Sequence, residues 1–165
     1  MTKPTWSRRE FIELSAAAGV SLAGQPLRFR RVAQSETVRF GMVGVGMQGS
    51  GLLGTSIQLP GVTCAGAADL YDGRHTLAKE IAGAGLPTMR EYRRLLDDKN
   101  VDCIVAAVPD HWHKRIVVEA VSAGKDIYIE KPMSHSPADG VAMVDAVKKS
   151  GKILQVGSQR VSSQI

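Results

Sequence analysis

Short apolar runs alternate with longer amphipathic segments from Val38 to the end of the chain. The short runs are rich in β-branched residues and are bounded by glycine, proline or aspartate, as buried strands usually are. The pattern therefore predicts six strands. They are expected at Val38–Val43, Val62–Ala68, Leu86–Met89, Asp102–Val108, Asp126–Ile129 and Ile153–Val156.

The segments between these runs carry apolar residues at helical spacing. The predicted helices cover Gln48–Gln58, Gly73–Ala84, Glu91–Asp98, Trp112–Ala123 and Pro137–Ser150. Gly124 and Gly151 follow the last two, where a left-handed residue commonly ends a helix. The run CIVAAV is apolar at consecutive positions, as expected for a strand covered by helices on both faces. The alternation predicts an α/β fold, a doubly wound parallel sheet.

Glycine is concentrated just after the first predicted strand. Gly44, Gly46 and Gly49 form the pattern G-x-G-x-x-G between that strand and the next helix. A flexible loop would also be rich in glycine. In this position, however, the first glycine fits a tight turn, the second lets the backbone approach a pyrophosphate, and the third allows close packing of helix on strand. The pattern predicts a dinucleotide-binding loop at a helix N-terminus.

An acidic residue stands where such a loop would need one. Asp69 follows the second predicted strand, twenty positions after Gly49, and its carboxylate could accept hydrogen bonds from the adenosine ribose hydroxyls. Asp69 and Asp72 would also repel a 2'-phosphate, so the sequence favours NAD over NADP. Arg74 is near enough to weaken that preference, although it also fits a solvated position at a helix start.

Two polar motifs follow the fourth and fifth predicted strands. Residues 109–113 read P-D-H-W-H, and residues 130–132 read E-K-P. The carboxyl ends of parallel strands meet at one edge of a sheet, where open α/β sheets bind ligands. Both motifs are therefore expected at the same edge as the glycine loop.

The order of these motifs, with A-G-K at residues 123–125, resembles the Gfo/Idh/MocA family of oxidoreductases, which includes glucose-fructose oxidoreductase and inositol dehydrogenase. The resemblance extends from about Val38 to Gln159. It implies a Rossmann NAD-binding domain in which Gly44, Gly46 and Gly49 hold the pyrophosphate and Asp69 holds the adenosine ribose. The remaining cofactor-binding residues that it implies are Pro109, Asp110, His113, Glu130, Lys131 and Pro132.

Within that set the resemblance gives each residue a place. Pro109 and Asp110 would lie along the nicotinamide half of the cofactor, and His113 would support their loop. Glu130 and Pro132 would shape the turn that directs Lys131 towards the nicotinamide ribose and the substrate hydroxyl. Gln159 and Arg160 are expected where substrate contacts begin.

Lys131 is the candidate catalytic residue. Oxidation of a secondary alcohol requires a proton to leave the hydroxyl, and a positioned ammonium group stabilises the developing alkoxide or relays that proton. A surface lysine at a strand end is the alternative. Trp112 is expected to anchor a helix start, or else to line a sugar pocket. No metal site is predicted, because His111 and His113 have no carboxylate or thiol at ligand spacing.

Charge does not indicate a nucleic-acid partner. The net charge is +5, but residues 1–33 hold six of the 21 basic side chains and only two of the 16 acidic ones, so the remainder is nearly neutral. Cys64 and Cys103 both lie in apolar runs and are expected to be buried thiols rather than a disulfide or metal ligands.

The first 33 residues resemble a twin-arginine export signal. Arg8 and Arg9 precede an uncharged, weakly apolar stretch, Leu14–Leu27, which is too short to span a bilayer. The sequence thus predicts export to the periplasm by the twin-arginine route. An ordinary amphipathic N-terminal helix is the alternative.

The chain ends soon after the last predicted strand, with residues 34–160 as the dinucleotide domain and residues 161–165 as the start of a second domain. In the family that it resembles, this second domain supplies most of the substrate pocket, so the chain alone is expected to bind cofactor and to turn over poorly. The leading hypothesis is an NAD-dependent dehydrogenase for a sugar, cyclitol or sugar derivative. The alternatives are an NAD-dependent glycosidase and a stand-alone dinucleotide-binding or interaction protein. A homo-oligomer is compatible with each.

Overall fold

The computed structural model describes residues 37–158, and they form a six-stranded parallel sheet in the order β3-β2-β1-β4-β5-β6. The predicted export signal, Gln159, Arg160 and residues 161–165 lie outside the described residues. The strands are β1 (Val38–Val43), β2 (Val62–Ala68), β3 (Thr88–Met89), β4 (Cys103–Ala106), β5 (Asp126–Glu130) and β6 (Leu154–Gly157). The predicted doubly wound sheet is confirmed.

Five α-helices connect the strands: α1 (Met47–Ser56), α2 (Asp72–Ala82), α3 (Arg93–Asp97), α4 (His113–Ser122) and α5 (Pro137–Ser150). A single 3-10 turn, Asp110–Trp112, precedes α4. Helix α2 ends before the predicted Ala84 because Gly83 adopts φ +106°. Gly124 (φ +78°) and Gly151 (φ +67°) are left-handed after α4 and α5, as the sequence predicted.

Strand β4 is shorter than predicted. It ends at Ala106, whereas the apolar pattern extended it to Val108. The carbonyl oxygen of Val108 is turned to the His113 ring, 3.0 Å from Nε2, so this residue leaves the strand ladder. Ala107 and Val108, which follow β4, line a cavity at the carboxyl edge of the sheet.

Alternate residues of the central strands pack into two separate hydrophobic clusters. Phe40 and Met42 of β1 join the cluster beneath α1 and α2, whereas Val43 joins the larger cluster beneath α3, α4 and α5. Ile104 and Cys103 of β4 are divided in the same way. Both faces of the sheet are therefore covered, which explains why the central strands are apolar at consecutive positions.

Strand β1 marks the point at which the chain reverses its direction across the sheet. The chain proceeds from β1 through β2 to β3 on one side and then from β4 to β6 on the other. In a doubly wound sheet this arrangement leaves a crevice at the carboxyl ends of the two strands that start the halves. Here the crevice lies between β1 and β4.

The two cysteines occupy different strands. Cys64 of β2 and Cys103 of β4 both pair with Phe40 of β1, which lies between them, and both are free thiols. They were predicted to be buried thiols, and the structure shows them partly buried. Burial raises the pKa of the Cys64 thiol to about 11 and also raises that of Cys103.

We therefore expect Cys64 to alkylate slowly in the folded chain. A pKa of about 11 leaves roughly 100-fold less thiolate at pH 8 than an unperturbed protein thiol has. The measurement is the iodoacetamide rate of the Cys103→Ser variant, folded and in urea. A folded rate within tenfold of the unfolded rate would contradict the placement of Cys64.

Within residues 37–158, no helix is both long enough and apolar enough to cross a bilayer.

Candidate functional site

The glycine loop joins β1 to α1 by a turn that only glycine can make. Gly44 has φ +83°, and a Cβ there would collide with the carbonyl oxygen of Ala107 on the neighbouring segment. A Cβ on Gly49 would collide with the carbonyl oxygen of Gly44. These two glycines let the helix start directly above the strand end, so their role is close packing of backbone on backbone.

Gly46 differs from its two neighbours in the motif. A Cβ there would meet no heavy atom within 4 Å, so nothing in the described chain requires glycine at this position. Its φ of −70° is open to any residue, and it precedes α1 without a side-chain cap. The helix N-terminus therefore has an open approach with unpaired N–H groups, which suits an anion that must lie against the backbone. The loop fits a pyrophosphate.

Asp69 lies beside this loop, at the end of β2. Its Oδ2 accepts a hydrogen bond from the amide of Val45 at 2.8 Å, and its Oδ1 accepts one from the amide of Tyr71 at 2.9 Å. The two amides fix the carboxylate at the crevice. Each carboxylate oxygen can accept a further hydrogen bond, so ribose hydroxyls could still bind there.

A cavity of about 300 Å³ runs along the crevice from Asp69 towards β4. Its lining includes Gly44, Gly46, Asp69, Leu70, Arg90, Tyr92, Val108, Pro109, Trp112 and Ile116. The wall is mostly apolar, and its charged members are Asp69, Arg90, Glu91 and Arg93. A mostly apolar wall with a few polar groups is expected for a pocket that buries a flat ring and binds its polar attachments. Trp112 packs on the larger core at the start of α4, as predicted, and it also lines this cavity.

Two residues that sequence reasoning did not assign organise the Asp69 end. His75 Nε2 lies 2.8 Å from the carbonyl oxygen of Asp69 and 3.1 Å from that of Met89, joining the ends of β2 and β3. Arg90, which follows Met89, donates two hydrogen bonds to Asp72 at 3.0 Å and 2.6 Å. The guanidinium lowers the pKa of the Asp72 carboxyl. Arg74, the basic residue singled out from the sequence, is absent from the lining.

His113 connects the two polar motifs. The side chain is 1% exposed. Its Nδ1 lies 2.8 Å from the carbonyl oxygen of Pro132, and its Nε2 lies 3.0 Å from that of Val108. The ring thereby lies between the loop after β4 and the turn after β5 and contacts the backbone of both. A histidine buried at the first position of α4 acts here as a structural clamp.

The E-K-P turn has a buried acid and an exposed base. Glu130 is 5% exposed, and its Oε1 accepts a hydrogen bond from Gln48 Nε2 at 3.0 Å. Its Oε2 accepts one from the Lys131 amide at 3.2 Å. Gln48 stands in the first turn of α1, so this contact joins the glycine loop to the turn. The Lys131–Pro132 peptide bond is cis.

Lys131 is exposed, and its ammonium group bonds to no side chain or carbonyl of residues 37–158. Glu130 fixes its backbone from the strand side, and His113 fixes the turn through Pro132. The turn is therefore held at both ends while the Lys131 side chain extends from the carboxyl edge of the sheet. A basic group in this position is available to a hydroxyl placed above that edge.

Asp110 contacts a residue that follows the E-K-P turn. Its Oδ2 accepts a hydrogen bond from His135 Nδ1 at 3.1 Å, and this contact lowers the pKa of the Asp110 carboxyl. Pro109 lines the cavity, whereas Asp110 does not. Within the part of the chain that the structure describes, no three His, Cys, Asp or Glu side chains are placed to hold a metal ion.

Comparison with known proteins identifies the relatives of this chain. Residues 38–158 match the Gfo/Idh/MocA group, described as an oxidoreductase family with an NAD-binding Rossmann fold. Inositol 2-dehydrogenase of Salmonella typhimurium (strain LT2) is 29% identical over 126 residues, which is 75% of this chain and 38% of that protein. A glycosyl hydrolase family 109 protein of Saccharopolyspora erythraea is 29% identical over 171 aligned positions, with 88% of this chain and 37% of the relative covered.

Among solved structures, an NAD-binding protein from Listeria innocua superposes with a TM-score of 0.69 at 27% identity, covering 75% of this chain and 36% of the other. The chain thus spans well under half the length of the relatives it matches. The match covers the whole sheet, from β1 to β6, together with the glycine loop and the E-K-P turn. The chain belongs to the Gfo/Idh/MocA oxidoreductase family and carries its NAD-binding Rossmann domain.

Proposed function

We propose that this chain binds NAD in the crevice between β1 and β4, as the cofactor-binding part of a dehydrogenase that acts on a sugar, cyclitol or sugar derivative. The observation that carries the proposal is the open space beside Gly46. Gly46 is the one glycine of the motif with open space beside its missing Cβ, and it stands at a helix N-terminus above the cavity. Close approach by a phosphate explains a glycine there.

Different residues of the described chain would bind different parts of the cofactor. The amides that follow Gly46 would bind the pyrophosphate, and the fixed carboxylate of Asp69 would bind the adenosine ribose. The apolar cavity walls, including Val108 and Trp112, would receive the adenine. Since Asp69 is anionic and accepts rather than donates, the ribose end favours a free 2'-hydroxyl, and hence NAD over NADP.

The E-K-P turn would serve the other end of the cofactor. The chemistry that a bound nicotinamide would supply there is hydride acceptance from the carbon of a secondary alcohol. Lys131 would position that alcohol through its oxygen and stabilise the charge that develops when the proton leaves. Glu130 and His113 hold the turn and are positioning residues.

A family glycosidase is the second candidate. The glycosyl hydrolase family 109 protein aligns with 88% of this chain, a larger share than the inositol 2-dehydrogenase does. A glycosidase that oxidises its sugar only transiently returns the hydride, so it accumulates no reduced cofactor. Net formation of NADH during turnover would favour the dehydrogenase, and aglycone release without it would favour the glycosidase.

Calorimetric titration of the 165-residue chain with NADH tests the proposal. We expect saturable binding at one site per chain, because the residues that would hold the pyrophosphate and the adenosine ribose all lie within residues 37–158. Circular dichroism on the same sample establishes that the protein is folded. Absence of heat at millimolar NADH in folded protein would refute the proposal.

A further inference from the structure

Arg90 is placed at the corner of the cavity that holds Asp69. The Asp69 amide donates to the carbonyl oxygen of Met89 at 3.1 Å, so the residue after Met89 emerges beside the Asp69 carboxylate. His75 bonds the same two strand ends. Arg90 and Asp69 accordingly line the same cavity. The position of this arginine is set by the β2–β3 pairing.

Arg90 forms a salt bridge with Asp72. The guanidinium of Arg90 donates to both carboxylate oxygens of Asp72, with side chains 63% and 69% exposed, respectively. This paired geometry is the one in which arginine recognises a carboxylate or a phosphate. Because the pair is exposed to water, its own stability is small, and another anion can compete for the guanidinium.

A competing anion at this corner has an identifiable chemistry. Asp69 is the residue proposed to bind the adenosine ribose, so a phosphate on the ribose 2'-oxygen would stand next to Arg90. We propose that the Asp72–Arg90 pair sets the choice between NAD and NADP: Asp72 occupies the arginine that would otherwise bind a 2'-phosphate. This inference rests on the proposed function, because it requires the ribose to bind at Asp69.

Asp72 acts not only as a second negative charge but also by engaging a cation that is 18 residues later in the sequence and adjacent in space. Arg74 has no such position, since it is absent from the cavity lining. The chain should therefore prefer NADH and yet bind NADPH measurably, and the preference should depend on Asp72.

Replacement of Asp72 tests this directly. Asp72→Asn releases Arg90 and is expected to tighten NADPH binding about tenfold, since it frees a charge-assisted contact to phosphate and removes one repulsive charge. NADH affinity should change less than threefold. Arg90→Gln should weaken NADPH binding. The double variant, Asp72→Asn with Arg90→Gln, should not show the gain in NADPH affinity expected of Asp72→Asn. Asp72→Ser, which retains a residue suited to the first helical turn, guards against a folding defect in Asp72→Asn.

The Asp102→Asn variant is a matched control. Asp102 also forms a bidentate pair with an arginine, Arg39, and both side chains are about two-fifths exposed (40% and 41%), but the pair lies at the amino edge of the sheet. The NADPH affinity of the Asp102→Asn variant should equal that of the parent.

Dissociation constants can be read from Trp112 fluorescence in a Trp6→Phe background. Adenosine 2'-phosphate and adenosine 5'-phosphate serve as probes of the ribose corner alone.

Three outcomes would contradict the inference. If the parent binds NADH and the selectivity of Asp72→Asn and Asp72→Ser equals that of the parent, the inference fails and the proposed function stands. If Asp102→Asn produces the same gain, net charge rather than the pair is responsible, and the inference fails. If the folded parent does not bind NADH, both fail.

Discussion

Replacing Gly46 by valine is expected to abolish NADH binding and to leave the fold intact. The open space beside Gly46 accommodates a side chain in the described protein, and its backbone angles suit a β-branched residue. The cost in stability should be limited to about 1 kcal/mol, from a poorer helix N-cap. The valine would, however, fill the space through which a pyrophosphate reaches the helix N-terminus.

The expected loss of affinity is large. Hydrogen bonds to charged groups contribute about 1.5–3 kcal/mol each, so losing two of them removes about 4 kcal/mol, or roughly a thousandfold in dissociation constant. Gly51→Val is the matched control: Gly51 lies in the same helix, is exposed, and also has no atom within 4 Å of its missing Cβ. It should bind NADH as the parent does.

Gly44→Ala and Gly49→Ala should behave in the opposite way. Their Cβ atoms would collide with backbone carbonyl oxygens, which cannot move aside as a side chain can, and Gly44 is in addition left-handed. We expect each to lower the free energy of unfolding by about 3 kcal/mol or more. Urea denaturation measures this. NADH binding by Gly46→Val, or full stability of Gly49→Ala, would contradict the roles assigned to the three glycines.

Local patterns were sufficient to predict the sheet. Strand β1 and strand β2 were predicted with the boundaries that the structure shows, because each is a compact apolar run bounded by turn residues. The main error was at the end of β4, which hydropathy alone does not mark, because Ala107 and Val108 are both apolar and continue the run. Beyond this end, the carbonyl oxygen of Val108 lies 3.0 Å from Nε2 of His113, a contact that no periodicity reveals.

Contacts between distant segments were not predictable in the same way. Gln48 and Glu130 are 82 positions apart, and Asp72 and Arg90 are 18 apart, so nothing in the local sequence indicates either pair. Both arise from the order of the strands, which brings the carboxyl ends of β1 and β5, or of β2 and β3, to one edge. The contact between Asp110 and His135, 25 positions apart, is likewise not indicated by the local sequence.

His113→Leu is expected to destabilise the fold. The ring is buried, and its two nitrogens lie within hydrogen-bonding distance of the carbonyl oxygens of Val108 and Pro132. Leucine would remove the ring N–H donor, and a buried acceptor left unpaired costs about 1–3 kcal/mol, so a loss of about 2 kcal/mol is expected. The turn that carries Lys131 would also lose its connection to the β4 loop.

Two further substitutions separate the contacts of His113. Asparagine places an amide donor where Nδ1 stands, and glutamine places one where Nε2 stands, so His113→Asn should restore the bond to Pro132 and His113→Gln the bond to Val108. We expect the variant that restores the donor supplied by the histidine to recover more of the loss in urea denaturation than the other variant. If only the bond to Pro132 orders the turn, hydrogen exchange of the Lys131 amide will be protected in the asparagine variant and not in the glutamine variant. A leucine variant as stable as the parent would show that the ring fills space and does not clamp the two motifs together.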